Sequence, residues 1–105
     1  MDSRFRGNDG DGCLMRTVRL RVAGWVQGVG YRMWVERTAA QLGINGWVRN
    51  RSDGTVELLA TGTEDAVAAL IEACRQGPRA AVVTDVAIED AEDDGSVGFS
   101  AKPTI

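Results

Sequence analysis

Residues 17–32 read TVRLRVAGWVQGVGYR, and this stretch decides the fold. Its first half alternates, with Val18, Leu20 and Val22 on one face, as in a strand with one buried side. Its second half is a glycine-spaced loop that ends in an arginine where a helix should begin. A strand, a tight loop and a helix start in direct succession predict the first β-α unit of a domain that mixes strands and helices.

The segment after this loop predicts a helix and then a hairpin. Apolar residues spaced by three and four indicate a helix from Tyr31 to about Leu42, which Gly43 ends. Two strand-like segments follow at residues 46–50 and 55–61, separated by a short polar turn that contains glycine. Such a pair of segments around a turn predicts a β-hairpin.

The last part of the chain adds a second helix and two strands. Thr63 can cap a helix whose first turn is acidic, and Gly77 ends that helix. Residues 81–89 predict a fourth strand, and residues 97–102 predict a short fifth one. The order β-α-β-β-α-β with a short extra C-terminal strand predicts an α+β fold. We expect a split β-α-β sandwich, with one antiparallel sheet and both helices on one face.

Length and composition indicate one globular domain. The chain has 105 residues, of which 44% are hydrophobic and 26% are charged. These values are ordinary for a single domain with a modest core. Residues 1–14 are rich in glycine and charge and lack any periodic pattern, which predicts a disordered leader. The folded domain is therefore expected at residues 15–105.

Composition also argues against several kinds of partner and site. The net charge of −3 gives no support for nucleic-acid binding. We expect no membrane contact, because no apolar run is long enough to cross a bilayer and no secretion signal is present. Histidine is absent and the two cysteines, Cys13 and Cys74, are far apart, which argues against a zinc site. Free thiols are typical of a reducing compartment, so we expect a cytoplasmic location.

The loop at residues 24–32 predicts an anion-binding site. Glycine-spaced loops turn several backbone N–H groups toward one point, and a helix start adds the positive end of its dipole. Gly28 and Gly30 permit a close approach of the backbone to an anion. Arg32 supplies a planar fork of donors that suits a phosphate. We therefore expect inorganic phosphate or a similar small anion to bind here.

Other phosphate-binding motifs do not fit this loop. A Walker loop needs a Gly-Lys-Ser/Thr ending, and a dinucleotide fingerprint needs a third glycine where Met33 stands. Paired cysteines for copper and stacking aromatics for RNA are also missing. The loop contains no serine, cysteine or histidine that would form a covalent intermediate. What remains is direct attack by water on a phosphoryl group with a good leaving group, such as a carboxylic–phosphoric mixed anhydride.

Asn50 is the candidate to hold that water. A carboxamide donates one hydrogen bond and accepts another, so it orients a water molecule without changing charge. In the predicted topology the second strand of the hairpin lies beside the first strand of the domain. This arrangement brings Asn50 toward the loop, although the sequence leaves its distance from Arg32 open.

Two motifs resemble those of the acylphosphatase family. Residues 24–32, GWVQGVGYR, are similar to the family pattern Gly-x-Val-Gln-Gly-Val-x-aromatic-Arg at every fixed position. Residues 46–50, GWVRN, with spaced glycine and valine residues after them, resemble its second pattern. The resemblance covers about residues 16–102. The chain departs from it in two ways: a histidine that many relatives carry in the first strand is missing, and Pro103 would shorten the last strand.

This resemblance implies hydrolysis of acyl phosphates to carboxylate and phosphate on a ferredoxin-like α/β sandwich, without a metal or cofactor. It implies that Arg32 binds the phosphoryl group and that Asn50 orients the attacking water. The implied partner is a small-molecule acyl phosphate, and we expect a monomer. The loop residues implied in substrate binding are Gln27, Gly28, Val29, Gly30, Tyr31 and Arg32.

Two other functions stay open. The same loop suits a non-catalytic module that holds acyl or carbamoyl phosphate for a partner, which predicts phosphate binding without turnover. A plain interaction module with a vestigial loop predicts no stabilisation by anions.

The remaining side chains near the two motifs are expected to be structural. We expect Gln27 to act through its backbone more than its amide. Trp25 and Tyr31 are expected to pack rather than to wall the loop. Four arginines are expected on solvated strand faces: Arg19, Arg21, Arg49 and Arg51.

Overall fold

The computed structural model describes residues 14–105, and residues 1–13 lie outside the described part. The predicted leader therefore falls almost wholly outside it. Leu14 is described, and its carbonyl oxygen accepts a hydrogen bond from the backbone N–H of Glu64 at 3.0 Å. The strands and helices are β1 (Met15–Trp25), α1 (Tyr31–Leu42), β2 (Asn45–Asn50), β3 (Val56–Thr63), α2 (Glu64–Gln76), β4 (Val82–Asp90) and β5 (Phe99–Ala101).

The five strands form one sheet in the order β4-β1-β3-β2-β5. The predicted succession of elements is confirmed, and the four longer strands pair with one another in antiparallel fashion. β5 is parallel to β2, so the expectation of a wholly antiparallel sheet is corrected to a mixed one. The cause is topological. β1 and β2 run in one direction, and β3 and β4 run in the other. The chain reverses once between β4 and β5, so β5 runs parallel to β2 at the other edge of the sheet.

Both helices pack on the same face of the sheet. The alternation read in the first strand is confirmed, since Val18, Leu20 and Val22 are fully buried in the core cluster. α1 contacts β2, while α2 contacts β1, β3 and β4. The largest fully buried side chains from the helices and the hairpin are Tyr31, Val35, Ile44, Val48, Val56, Leu58, Val67 and Leu70.

The helix ends follow the local chemistry of the sequence. At the start of α2, the Thr63 hydroxyl accepts a hydrogen bond from the N–H of Ala66 at 3.2 Å, and the first turn holds Glu64 and Asp65. Both features stabilise the positive end of a helix. α1 ends at a left-handed Gly43, as predicted.

The sheet register sets the position of Asn50. Val22 of β1 pairs with Val56 of β3, and Val56 pairs with Asn50 of β2. These three residues form one row across the sheet, close to the end at which β1 leads into the glycine loop. Asn50 therefore lies two strands from β1, or about 10 Å at the usual strand spacing.

On the sheet face opposite the helices, Glu57 forms ion pairs with three arginines. Its Oε1 accepts hydrogen bonds from Arg49 Nε (3.0 Å) and Arg51 Nη1 (2.9 Å). Arg19 Nε lies 3.4 Å from Oε2, and Glu57 is only 5% exposed. The expectation of solvated arginines is therefore wrong for these three and holds for the exposed Arg21. The error arose because a carboxylate on the neighbouring strand β3 leaves no local signal beside these arginines in the sequence.

The tryptophans divide between core and surface. Trp47 is 6% exposed, its Nε1 donates to Asp94 Oδ2 at 3.0 Å, and the Arg49 guanidinium lies 4.7 Å from its ring centroid. Trp34 is half-buried and donates to the carbonyl of Ala73 at 3.2 Å. Trp25 is 72% exposed, so the expectation that it packs is wrong.

Two further expectations concern composition. Cys74 is a free, buried thiol, as expected, while Cys13 lies outside the described residues. Between residues 14 and 105, no helix combines the length and the apolar character that crossing a membrane requires.

The Glu57 cluster predicts a pH-dependent stability. Burial by itself raises the pKa of Glu57, but hydrogen bonds from Arg49 and Arg51 outweigh it and leave the pKa below its ordinary value. A depressed pKa contributes stability above the pKa of the unfolded chain, and this stability is lost as pH falls through the folded-state pKa. We expect Glu57→Gln to lower the free energy of unfolding by about 2 kcal/mol at pH 7.

Urea unfolding at several pH values measures this effect. The difference from wild type should shrink as the pH falls below the ordinary glutamate range, because the wild-type carboxyl is then also neutral. Glu89→Gln is the matched control, since Glu89 pairs with Arg19 at 3.5 Å but its side chain is 68% exposed. An equal loss in both variants would contradict the special role of Glu57.

Candidate active site

A cavity of about 280 Å³ lies between the start of α1, the end of β2 and β5. Arg32 and Asn50, the two residues predicted to act together, both line it. The full lining is Val26, Gly28, Gly30, Tyr31, Arg32, Met33, Glu36, Asn50 and Ala101. A second cavity of about 230 Å³, near Arg19 and Glu89, contains none of the predicted site residues.

The backbone of the loop is open toward the cavity at two glycines. Gly28 and Gly30 have φ values of 75° and 82°, in the left-handed region that favours glycine. A Cβ atom built at either position meets no described atom within 4 Å. A side chain here would therefore strain the backbone without a clash, and it would extend into the open space beside the loop.

The start of α1 is left without a cap. Gly30 occupies the N-cap position and has no side chain that could accept a hydrogen bond from the helix. The first turn contains no acidic residue. The first N–H groups of a helix have no carbonyl partner within that helix. α2 satisfies the same need with Thr63 and two acidic residues. α1 therefore presents unpaired donors and the positive end of its dipole where Gly30, Tyr31 and Arg32 line the cavity.

Arg32 supplies the positive charge of the cavity. Its side chain is half-buried, and it makes no ion pair with an acidic residue anywhere in residues 14–105. Arg49 and Arg51 are different, because both bind Glu57. A guanidinium with free donors beside unpaired amides is a good receptor for a phosphoryl group.

Asn50 brings an unpaired carboxamide to the same cavity. Its Oδ1 is buried and accepts no hydrogen bond from the part of the chain that the structure describes. Leaving a buried acceptor unsatisfied costs about 1–3 kcal/mol. Its backbone is held on both sides, by pairing with Val56 and by a hydrogen bond from the N–H of Ile105 at 3.2 Å. The backbone that carries the side chain is therefore held in place, and the side chain offers a buried acceptor to the cavity.

Gln27 and Val29 belong to the loop but do not line the cavity. The Nε2 atom of Gln27 donates to the backbone carbonyls of Arg51 and Thr55, each at 2.8 Å. Val29 is half-buried against the core. The expectation that Gln27 acts mainly through its backbone missed this contact, because its partners lie on a separate turn of the chain.

Several lining residues were not anticipated. Glu36 follows Arg32 by one helical turn, and this i, i+4 spacing was a signal that the sequence contained. Val26 and Met33 are direct neighbours of the motif residues. Ala101 had no local signal, because it reaches the cavity only through the parallel pairing of β5 with β2.

Tyr31 and Cys74 are structural groups at the edge of the site. Tyr31 is 2% exposed, as the expected packing role requires, and its hydroxyl donates to the carbonyl of Cys74 at 2.7 Å. Burial raises the pKa of the Tyr31 hydroxyl and raises the pKa of the Cys74 thiol to about 11. Both stay protonated near neutral pH, so neither supplies a nucleophile. Residues 14–105 contain no grouping of three histidine, cysteine, aspartate or glutamate residues suited to a metal ion.

Comparison with sequences of known proteins gives a consistent result. A family model described as Acylphosphatase matches residues 18–101. An acylphosphatase from Rhodospirillum rubrum is 50% identical over 91 residues, covering 87% of this chain and all of the relative. An acylphosphatase from Rhodopseudomonas palustris is 53% identical over 82 residues, covering 77% of this chain and 83% of the relative.

Solved structures give the same fold. The crystal structure of acylphosphatase from Bacillus subtilis matches with a TM-score of 0.80 and 38% identity, covering 85% of this chain and 99% of that one. Full-length HypF, in a phosphate- and nucleotide-bound form, matches with a TM-score of 0.82. Its identity is 23% and only 13% of its chain is covered, so this second likeness is one of fold.

Because Arg32 has no acidic partner within the described part of the chain, we expect anions to stabilise the fold. Inorganic phosphate at 100 times its dissociation constant should add about 2.7 kcal/mol to the free energy of unfolding. Thermal unfolding with and without phosphate measures this gain. We expect Arg32→Gln to remove most of it, whereas Arg79→Gln, in an exposed loop position, should retain it. A gain of equal size in both variants would place the anion elsewhere.

Proposed function

Because the chain belongs to the acylphosphatase family, we propose that its cavity hydrolyses acyl phosphates to a carboxylate and phosphate. Arg32 and the loop amides bind the phosphoryl group, and Asn50 orients the attacking water. One observation carries the proposal: Arg32, which has no ion pair within residues 14–105, and Asn50, whose Oδ1 is unpaired in the same range, line a single cavity.

The phosphoryl group is bound by charge and by backbone donors together. The Arg32 guanidinium donates hydrogen bonds to two phosphoryl oxygens. The backbone amides of residues 27–32 donate to the third oxygen and also to the first two. The glycines matter because the anion approaches the backbone where a Cβ would otherwise stand. These donors are fixed before the substrate arrives, so they stabilise the charge that develops in the transition state without reorganising.

Water is directed by Asn50. Its Oδ1 accepts a hydrogen bond from the water, which leaves the water oxygen lone pair directed at phosphorus. The carboxamide does not remove a proton, and its contribution is orientation. Such a contribution depends on an acceptor that does not move, and the Asn50 backbone is held by β3 and by Ile105.

The bond changes are simple. A bond forms between the water oxygen and phosphorus, and the bond between phosphorus and the acyl oxygen breaks. The leaving carboxylate takes the bonding electron pair, and the proton of the water passes to a phosphate oxygen or to solvent. A carboxylate is a stable leaving group, so the reaction needs no strong general acid in the cavity.

The partner of the protein in this proposal is a small acyl phosphate, bound by a monomer. A cytoplasmic location also stays a prediction, supported by the free thiol of Cys74. The alternative is a module that binds acyl or carbamoyl phosphate without hydrolysis. The fold likeness to a small part of the much longer HypF chain favours keeping this alternative in the experiment.

The proposed roles predict the behaviour of two variants with benzoyl phosphate as substrate. Arg32→Gln should lower kcat/KM by at least about 10²–10³, because it removes a preorganised charged donor. Asn50→Ala should lower kcat by about 10² and leave phosphate binding nearly unchanged, since it removes an interaction with water only.

Release of phosphate from benzoyl phosphate measures the rates, and circular dichroism checks the fold of each variant. Arg79→Gln serves as the control for loss of one surface charge. Full activity in folded Arg32→Gln or Asn50→Ala would remove that residue from the mechanism. Phosphate binding with no turnover by the wild-type protein would favour the binding module.

A further inference from the structure

Two separate loops meet at the cavity. The glycine loop between β1 and α1 carries the phosphoryl-binding amides, and the turn between β2 and β3 follows Asn50 directly. In the described range, the only side-chain hydrogen bonds that join these loops come from Gln27, whose Nε2 donates to Arg51 and Thr55. The sheet sets the separation of the strands that carry the two loops, and this carboxamide is the direct side-chain link between the loops themselves.

The two carbonyl groups that accept hydrogen bonds from Gln27 lie at the base of the turn, where it joins β2 and β3. Arg51 and Thr55 face each other there, since the N–H of Arg51 donates to the carbonyl of Thr55 at 2.8 Å. The next pair toward the sheet is Asn50 with Val56. A primary amide has two N–H donors, and both are used here: one on the carbonyl of Arg51, which follows Asn50, and one on the carbonyl of Thr55, which precedes Val56.

The hydrogen bonds of the turn do not depend on Gln27. The carbonyl of Arg51 also accepts from the N–H of Gly54 at 3.1 Å, and the carbonyl of Thr55 accepts from Arg51. Removing the Gln27 amide therefore leaves neither carbonyl without a partner. The turn should keep its shape, and what is lost is the link between the turn and the loop.

We propose that Gln27 is a positioning residue for the reaction, which holds Asn50 at the distance from the glycine loop that aims water at the bound phosphoryl group. This inference rests on the proposed function, because it assigns to Gln27 an effect that passes through Asn50. The backbone N–H of Gln27 belongs to the binding loop, but its side chain does not contact the cavity.

The proposal predicts that loss of the Gln27 amide lowers kcat but leaves substrate and phosphate binding nearly unchanged. Gln27→Met keeps the length of the side chain and removes both donors. We expect kcat for benzoyl phosphate to fall about 10- to 100-fold, since a misplacement of about 1 Å is known to have effects of this size. KM and the dissociation constant of inorganic phosphate should stay within about twofold, because Arg32 and the loop amides are unchanged.

A double-mutant cycle with Asn50→Ala provides the test. If Gln27 acts through Asn50, Gln27→Met should lower kcat further by no more than about threefold when Asn50 is already alanine. Gln41→Met is the matched control, because Gln41 is an exposed glutamine on α1 outside the cavity, and its kcat should equal that of wild type. Gln27→Ala replaces Gln27→Met if the latter does not fold.

The possible results distinguish failure of the positioning role of Gln27 from failure of the proposed function. A wild-type kcat for folded Gln27→Met overturns the positioning role, and so does a full additional loss in the Asn50→Ala background. A rise in KM or in the phosphate dissociation constant that accounts for the whole loss of kcat/KM also overturns it, because Gln27 would then shape the binding loop. Full activity of Asn50→Ala alone instead contradicts the proposed function, whatever Gln27→Met does.

Discussion

The site depends on one row of the sheet, in which Val22, Val56 and Asn50 lie side by side. A β-register is discrete, because a shift of one residue moves a side chain to the other face. The buried alternation of β1 and β3 fixes this register, and the same alternation directs Asn50 toward the helices rather than toward the arginines of the opposite face. The hydrophobic core thus determines where a polar side chain reaches the cavity.

The distribution of arginines complements this constraint. The net charge of −3 does not by itself identify a cation for an anion to bind, since 12 lysine and arginine residues are present beside 15 aspartate and glutamate residues. Glu57 binds Arg19, Arg49 and Arg51 on the face away from the helices, whereas Arg32 has no carboxylate within ion-pair distance across residues 14–105. One buried carboxylate thus engages three arginines on that face, while the cavity on the helix side keeps, within the described range, a guanidinium that has no ion pair and lies at the start of α1.

The sequence predicted those features that have a local cause. Alternation identified β1, the hydroxyl of Thr63 identified the start of α2, and glycine spacing identified the loop. Contacts between distant segments escaped prediction, because nothing near Gln27 indicates that its amide reaches the carbonyls of Arg51 and Thr55. The same holds for Glu57, whose three partners come from β1 and from the end of β2, and for the parallel direction of β5. The roles of Arg32 and Asn50 stay predictions, although their common cavity is now described.

The position of β5 affects how the protein acquires its cavity. Ala101 lines the cavity, and the segment that leads to it is held to β2 by contacts such as that between the N–H of Gly98 and Asn45 Oδ1, 53 positions apart. β5 has three residues and pairs with a single neighbour, so few contacts offset the entropy lost when it docks, and we expect it to dock late. A chain that has joined β1 to β4 but has not docked β5 already has most of its secondary structure, yet one wall of the cavity is absent. Recovery of cavity-dependent binding during refolding should therefore lag behind the recovery of helical signal.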